Sequence, residues 1–316
     1  GLVPDSFGVT GYGIYNISQE VMALANAYPI LAVYDDEGWN LDPVSMIGDS
    51  VYSDSAFYTV RVTVPEDLTL IASGREIDRQ AAPDGQKRLL FVTGPVRDYF
   101  MIMSPAFKRL SRTVNGTSIQ AYYVPDHRQG GNYALQVASQ SLRVFNEHFG
   151  PYPYQTLDVV EAPMRYAAGV EYPGVILLRS DMYDLKSRMS FSVVTAHEVA
   201  HQWWYNLVGS DVIDEPWLDE ALTTYSSALY FEEIKGNDEY QEMVDYFQRS
   251  YQEARDQGLD DLITQGLFHF ESTSSGRRAY SPIVYNKGAL FFKSVREEIG
   301  DEAFFGALTQ YYRANR

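Results

Sequence analysis

The first third of the chain is dominated by short stretches in which hydrophobic and polar side chains alternate. Residues 57–64, FYTVRVTV, alternate in this way and are rich in β-branched residues, which is typical of a strand with one buried face. Similar short runs cover residues 88–92, 99–103 and 118–124. Turn-forming sequences such as PDG at 83–85 separate them. We therefore predict a β-rich amino-terminal domain over residues 1–124, folded as a sandwich or open sheet that is short of some strands.

The pattern changes after Pro125. Apolar residues recur at helical spacing over residues 133–149, and from Ser190 onward the chain is almost entirely helical in character. Two apolar β-branched runs between these regions, 157–160 and 175–178, are typical of strands. We predict a second domain over residues 125–316, mostly helical in its second half, and an α+β fold class for the whole.

Two histidines, His197 and His201, flank Glu198 in the sequence HEVAH. They fall in residues 191–207, where apolar side chains follow a helical period until Gly209. Since side chains four positions apart lie on one face of a helix, both imidazoles can address one metal ion. The alternative is that both are ordinary histidines on a half-buried helix.

A third candidate ligand, Glu220, follows on the next predicted helix, which begins at Pro216 and ends at Gly236. Two His and one Glu form a donor set that suits a catalytic zinc ion, because such sites keep three protein ligands and leave one position open. Glu198, next to the first ligand, is the candidate general base. We expect one zinc ion, although another divalent ion can occupy such a site in vitro.

The bulk properties narrow the class of partner. A net charge of −17 and a pI near 4.6 argue against nucleic-acid binding, which needs a basic surface. The absence of Cys excludes disulfides and thiolate chemistry.

No apolar run is long enough to span a membrane, so we expect a soluble chain, either cytoplasmic or extracytoplasmic. Because it starts at Gly1 rather than Met, we interpret it as a piece of something longer.

The metal-site sequences together resemble a known family. HEVAH, with eighteen residues between His201 and Glu220, and the flanks VAHQWW and WLDE are similar to the signature of the gluzincin zinc aminopeptidases, relatives of alanyl aminopeptidase and leukotriene hydrolase. The resemblance implies a thermolysin-like zinc metallopeptidase domain. The family usually has Asn before the third ligand, where this chain has Asp219.

The resemblance also implies residues that bind the substrate's amino group. The family carries a Gly-x-Met-Glu-Asn loop, and the corresponding stretch here is AGVEY, with Gly169 and Glu171. Val170 and Tyr172 depart from that pattern, which affects the expected shape of the first specificity pocket. The alternative for Glu171 is a surface Glu on a loop. A weaker correspondence assigns Glu20, near the amino end, to the same amine-binding role.

A last matching motif is Tyr285-Asn286-Lys287-Gly288, which resembles the family's Tyr-x-Lys-Gly. It implies that Tyr285 donates a hydrogen bond to the oxyanion of the transition state. Family members usually have a longer β domain and a helical domain after the catalytic one. We therefore expect either a compact member or a fragment whose carboxy-terminal helical domain is absent from this chain.

These expectations combine into one functional hypothesis. We predict a zinc-dependent aminopeptidase that acts on peptide substrates and removes their first residue. The alternatives are a thermolysin-like endopeptidase, which would not need Glu171, and a non-catalytic peptide-binding module.

Overall fold

The computed structural model describes residues 15–36, 38–49 and 51–316. The chain forms two compact units that interleave along the sequence. Of the described residues, unit 1 comprises 15–30, 54–143 and 152–202, and unit 2 comprises 31–36, 38–49, 51–53, 144–151 and 203–316. The division into domains at 124/125 stays a prediction.

The strands and helices follow in chain order. The strands are β1 Tyr15–Ser18, β2 Val21–Ala25, β3 Tyr34–Asp35, β4 Gly38–Trp39, β5 Thr59–Pro65, β6 Thr69–Ala72, β7 Arg75–Ala82, β8 Gln86–Val92, β9 Phe100–Ser104, β10 Lys108–Val114, β11 Thr117–Tyr123, β12 Thr156–Ala162, β13 Gly169–Tyr172 and β14 Val175–Arg179. The helices are α1 Arg128–His148, α2 Arg188–Ala200, α3 Pro216–Ile234, α4 Asn237–Asp256, α5 Leu267–Glu271, α6 Ser274–Tyr280, α7 Gly288–Ile299 and α8 Asp301–Asn315. A π-helix, Ser281–Lys287, joins α6 to α7.

The described part of unit 1 is built on three sheets. Two are antiparallel, with strand orders β1-β2-β9-β6 and β5-β8-β7. The third has the order β10-β11-β12-β14-β13, in which the central pairs are parallel and the outer pairs antiparallel. Strand β13 is therefore an edge strand, and its free side is available to another element.

The core of unit 1 explains why these strands form. Val21, Ala23 and Ala25 alternate with less buried residues along β2, as expected of a strand with one buried face. The central strand β12 is buried along almost its whole length, which parallel strands in a mixed sheet require. Phe100 and Tyr172 stack in the same core with ring centroids 4.0 Å apart.

Unit 2 is mostly helical. Helix α3 is buried along nearly its entire length, so its side chains face the core on all sides rather than along one stripe. A cluster of apolar residues from the loop after α2, from α5 and from the π-helix packs together in this unit, including Ile213, Leu267 and Ile283. The short strands β3 and β4 also belong to unit 2.

The α+β class and the order of a β-rich region before a mostly helical one are confirmed. The helix predicted over 191–207 is wrong at its end, because α2 stops at Ala200. Beyond it, Tyr205 has a positive φ of 110°, and the amide of Val208 donates to the carbonyl of Trp203 at 2.9 Å. The indole of Trp203 also donates to the carbonyl of Gly150 at 2.9 Å. The local turn and this tertiary hydrogen bond together outweigh the helical pattern of the sequence.

Within the described ranges, no helix combines the length and the apolar character needed to cross a bilayer.

Candidate functional site

The two histidines of the HEVAH sequence face each other at the end of α2, with His197 in its last turn and His201 directly after it. Their Nε2 atoms lie 3.1 Å apart, and the ring centroids are 4.7 Å apart. The amide of His201 donates to the carbonyl of His197, so the helical spacing that pairs the rings continues through this last turn. His201 is almost completely buried. The pair presents two nitrogen donors toward one point.

Two carboxylates lie beside His201 in unit 1. Glu198 and Glu171 are both buried, and together with His201 each offers one ligand atom within 4.8 Å of the others. The Nε2 atom of His201 is 4.0 Å from an oxygen of Glu171. Neighbouring buried carboxylates disfavour each other's ionised form unless a cation balances them. The cluster is therefore suited to a metal ion or to a substrate ammonium group.

Gly169 brings strand β13 against the candidate base. A Cβ at this position would lie 2.2 Å from Oε1 of Glu198 and 2.4 Å from its Cδ. A Cβ this close would force either the Glu198 carboxylate or the strand to shift, so glycine is what lets both keep these positions. Because Glu171 lies two residues further along β13, the same approach sets where Glu171 stands relative to Glu198.

A residue that the sequence did not single out, Gln202, fixes the other end of β13. Its Nε2 donates to the carbonyl of Tyr172 at 3.2 Å, and its Oε1 accepts from the amide of Gly174 at 2.9 Å. The side chain is completely buried. The carboxamide thus joins the end of α2 to the turn between β13 and β14. Its position directly after His201 is the only signal of this role in the sequence.

In unit 2, Glu220 and Tyr285 are in direct contact. The hydroxyl of Tyr285 donates to Oε1 of Glu220 at 2.5 Å. Glu220 lies on α3 and is buried, while Tyr285 lies on the π-helix. Burial, and next the charge of Glu220, raise the pKa of Tyr285 well above its ordinary value. Tyr285 therefore stays protonated and remains a hydrogen-bond donor.

The π-helix around Tyr285 was not predicted. Such helices are rare and are frequent at functional sites. The ring of Tyr280, at the end of α6, meets that of Tyr285 edge-on with centroids 5.6 Å apart. The widened turn and this neighbour together fix the direction of the Tyr285 side chain.

Glu20 occupies a different setting. It lies in the turn between β1 and β2, is exposed, and has a positive φ of 62°. Within the described part of unit 1, no hydrogen bond or ion pair joins Glu20 to Glu171, and the amine-binding role of Glu20 stays a prediction.

Comparison with known proteins gives this arrangement a context. The peptidase family M1 domain matches residues 133–316. Aminopeptidase 2 of Candida albicans is 22% identical over 271 residues, covering 82% of this chain and 29% of that protein. Endoplasmic reticulum aminopeptidase 2 of Homo sapiens is 28% identical over 211 residues, covering 64% of this chain and 22% of that protein.

A solved structure is similar over most of the described fold. The M1 zinc metallopeptidase from Deinococcus radiodurans has a TM-score of 0.65 and 25% identity, covering 84% of this chain and 58% of that one. The chain spans less than a third of the length of the two aminopeptidases named above. Since the matched family domain covers more than half of this chain, the chain belongs to peptidase family M1.

Proposed function

We propose that this protein is a zinc-dependent aminopeptidase. The observation that carries the proposal is the pairing of His197 and His201 beside two buried carboxylates, Glu198 and Glu171. The pair supplies imidazole donors for a metal, and the carboxylates supply a base and an ammonium-binding group. Membership of peptidase family M1 supports the same reaction class.

The donor set fits zinc. His197, His201 and Glu220 are the proposed metal ligands. Imidazole nitrogen and carboxylate oxygen are ordinary zinc ligands, and three of them leave a position open. When bound, zinc supplies Lewis acidity toward a peptide carbonyl and toward water. The M1 metallopeptidase similar to this chain is a zinc protein.

The chain's own residues then divide the work. In the proposed reaction Glu198 accepts the proton of the attacking water and returns it to the leaving amine. Tyr285 donates a hydrogen bond to the oxygen of the scissile carbonyl as negative charge develops there. To do so, its hydroxyl must leave Glu220, to which it now donates.

Glu171 gives the reaction its direction. Its carboxylate is proposed to bind the protonated amino terminus of the peptide, so that the first peptide bond reaches the reacting groups. Gly169 is proposed to contribute to the same subsite by keeping β13 close to Glu198, and Glu20 to approach the amine from the amino-terminal region. An endopeptidase would have no use for a buried carboxylate at Glu171's position.

The test compares one peptide with its N-acetylated twin, each with and without a zinc chelator. The proposal predicts cleavage of the free peptide only, lost on chelation and restored by added zinc. Glu198→Gln is the matched control, because it removes the base while nearly preserving shape. Equal cleavage of both peptides would indicate an endopeptidase, and binding of both zinc and peptide without any cleavage would indicate a binding module.

A further inference from the structure

Unit 1 contains a cavity that the proposed reaction does not use. It has a volume of about 620 Å³ and lies along the first turns of α1 and beside the start of α2. That volume is within the usual range of small-molecule sites. Three carboxamides, those of Gln129, Asn132 and Gln136, line it together with two apolar walls, Leu110 and Leu185.

The charge of this cavity is opposite to that of the chain. The protein has a net charge of −17, yet the two charged residues that line the cavity are Arg128 and Arg188. Among the described residues, neither guanidinium has a carboxylate within 4.0 Å. Elsewhere in the chain Arg296 pairs with Glu232 at 2.6 Å.

Both arginines are exposed to solvent, and each contacts a tyrosine. Arg128 donates to the hydroxyl of Tyr123 at 3.3 Å, and the guanidinium of Arg188 lies 5.2 Å from the ring centre of Tyr133. These contacts bring no negative charge to either side chain, so both guanidinium groups remain able to pair with an anion. The nearby Lys186 is different, because Asp184 neutralises it at 2.9 Å.

The walls of the cavity are fixed by packing. The hydroxyl of Tyr133 on α1 and that of Ser192 on α2 are 2.7 Å apart. At Gly130 a Cβ would lie 2.5 Å from the carbonyl oxygen of Tyr183, so the glycine lets α1 approach the segment that precedes α2. The two helices that carry the arginines are therefore held together without a ligand.

We propose that this cavity binds a small polyanion whose oxyanion groups, phosphate or carboxylate, are received by Arg128 and Arg188. A guanidinium presents a planar fork of donors that matches either oxyanion, and the carboxamides add neutral donors around it. Arg188 begins α2, and His197 lies nine residues later on that helix, about 14 Å away along its axis. The site is thus separate from the histidine pair, and it does not rest on the proposed peptidase function.

The test is calorimetric titration of the whole chain with pyrophosphate and with citrate at low salt. We expect binding of at least one probe, and the tighter one identifies the phosphate or the carboxylate source. Arg128→Gln and Arg188→Gln should each weaken binding about tenfold, the loss expected for one charged hydrogen-bonding partner.

The matched control is Arg61→Gln, which removes the same charge from an exposed position on β5, outside the cavity. It should leave the affinity within about twofold of the unchanged protein. The thermal midpoint of every variant is measured to establish that it folds. Failure of both probes to bind, or an equal loss in all three variants, would overturn the proposal.

Discussion

Gly169, which has no Cβ, decides where the candidate base stands. Gly169 and Glu198 are in such close contact that any Cβ would displace the carboxylate or the strand. The sequence marks Gly169 only through the resemblance of AGVEY to a family loop, and spacing cannot reveal a contact between residues so far apart in the chain. The HEVAH pair is the opposite case, because helical geometry alone predicts that both rings share a face.

Gly169→Ala tests this contact. We expect kcat to fall about tenfold or more, because general-base catalysis depends on the placement of Glu198, while the zinc content stays unchanged. The matched control is Gly306→Ala on α8, where a Cβ would meet nothing within 4 Å. That control should keep full activity and gain about 0.5–1 kcal/mol of stability. Unchanged kcat in Gly169→Ala would show that Glu198 is not confined by β13.

At the scale of elements, the docking of β13 on α2 positions Glu171. The strand is held at one end by the contact between Gly169 and Glu198, and at the other by the carboxamide of Gln202. The end of α2 at Ala200 was not predictable from periodicity, because Trp203 and its neighbours are fixed by tertiary hydrogen bonds. The π-helix that carries Tyr285 has no local sequence signal either.

Gln202→Met is expected to loosen this docking. It removes a donor and an acceptor from a buried site while keeping the length of the side chain, so the free energy of unfolding should fall by about 1–3 kcal/mol. KM for a peptide with a free amino group should rise more than kcat falls, since Glu171 shifts with its strand. Urea unfolding and steady-state kinetics measure the two effects.

The control for this variant is Gln248→Met on the exposed face of α4. It makes the same chemical change and should alter neither stability nor KM. A fall in kcat alone in Gln202→Met, with KM preserved, would contradict a role for Gln202 in placing Glu171.

At the scale of the whole molecule, the α+β class and the order of its regions followed from the alternation of short strands and the later helical period. The interleaving of the two units did not, since residues 31–53 and 144–151 join unit 2 through contacts distant in sequence. Stability is also a property at this scale, and one buried acid makes it depend on pH.

Burial raises the pKa of Asp158 to about 7, against the opposing effects of the Gln120 amide and the charge of Arg109. In the unfolded chain the group titrates near its ordinary value of about 4. Between these values the native state binds more protons, so the contribution of Asp158 to stability falls as the pH rises to about 7 and is then constant.

Asp158→Asn removes this dependence. The free energy of unfolding of the variant minus that of the unchanged protein should be larger at about pH 8 than at about pH 5 by more than about 1 kcal/mol. Urea unfolding at both pH values measures this difference. A difference that does not vary with pH would mean that Asp158 is ionised in the folded protein throughout.

The central claim is that Glu171 makes cleavage depend on the substrate's amino terminus. The most direct measurement is the ratio of kcat/KM for a peptide to that for its N-acetylated twin, in the unchanged protein and in Glu171→Gln, both loaded with zinc. The free peptide should be preferred, and the variant should lose about tenfold or more of that preference, as expected for one charged hydrogen bond. Equal cleavage of both peptides by the unchanged protein, or the same ratio in both proteins, would contradict the claim.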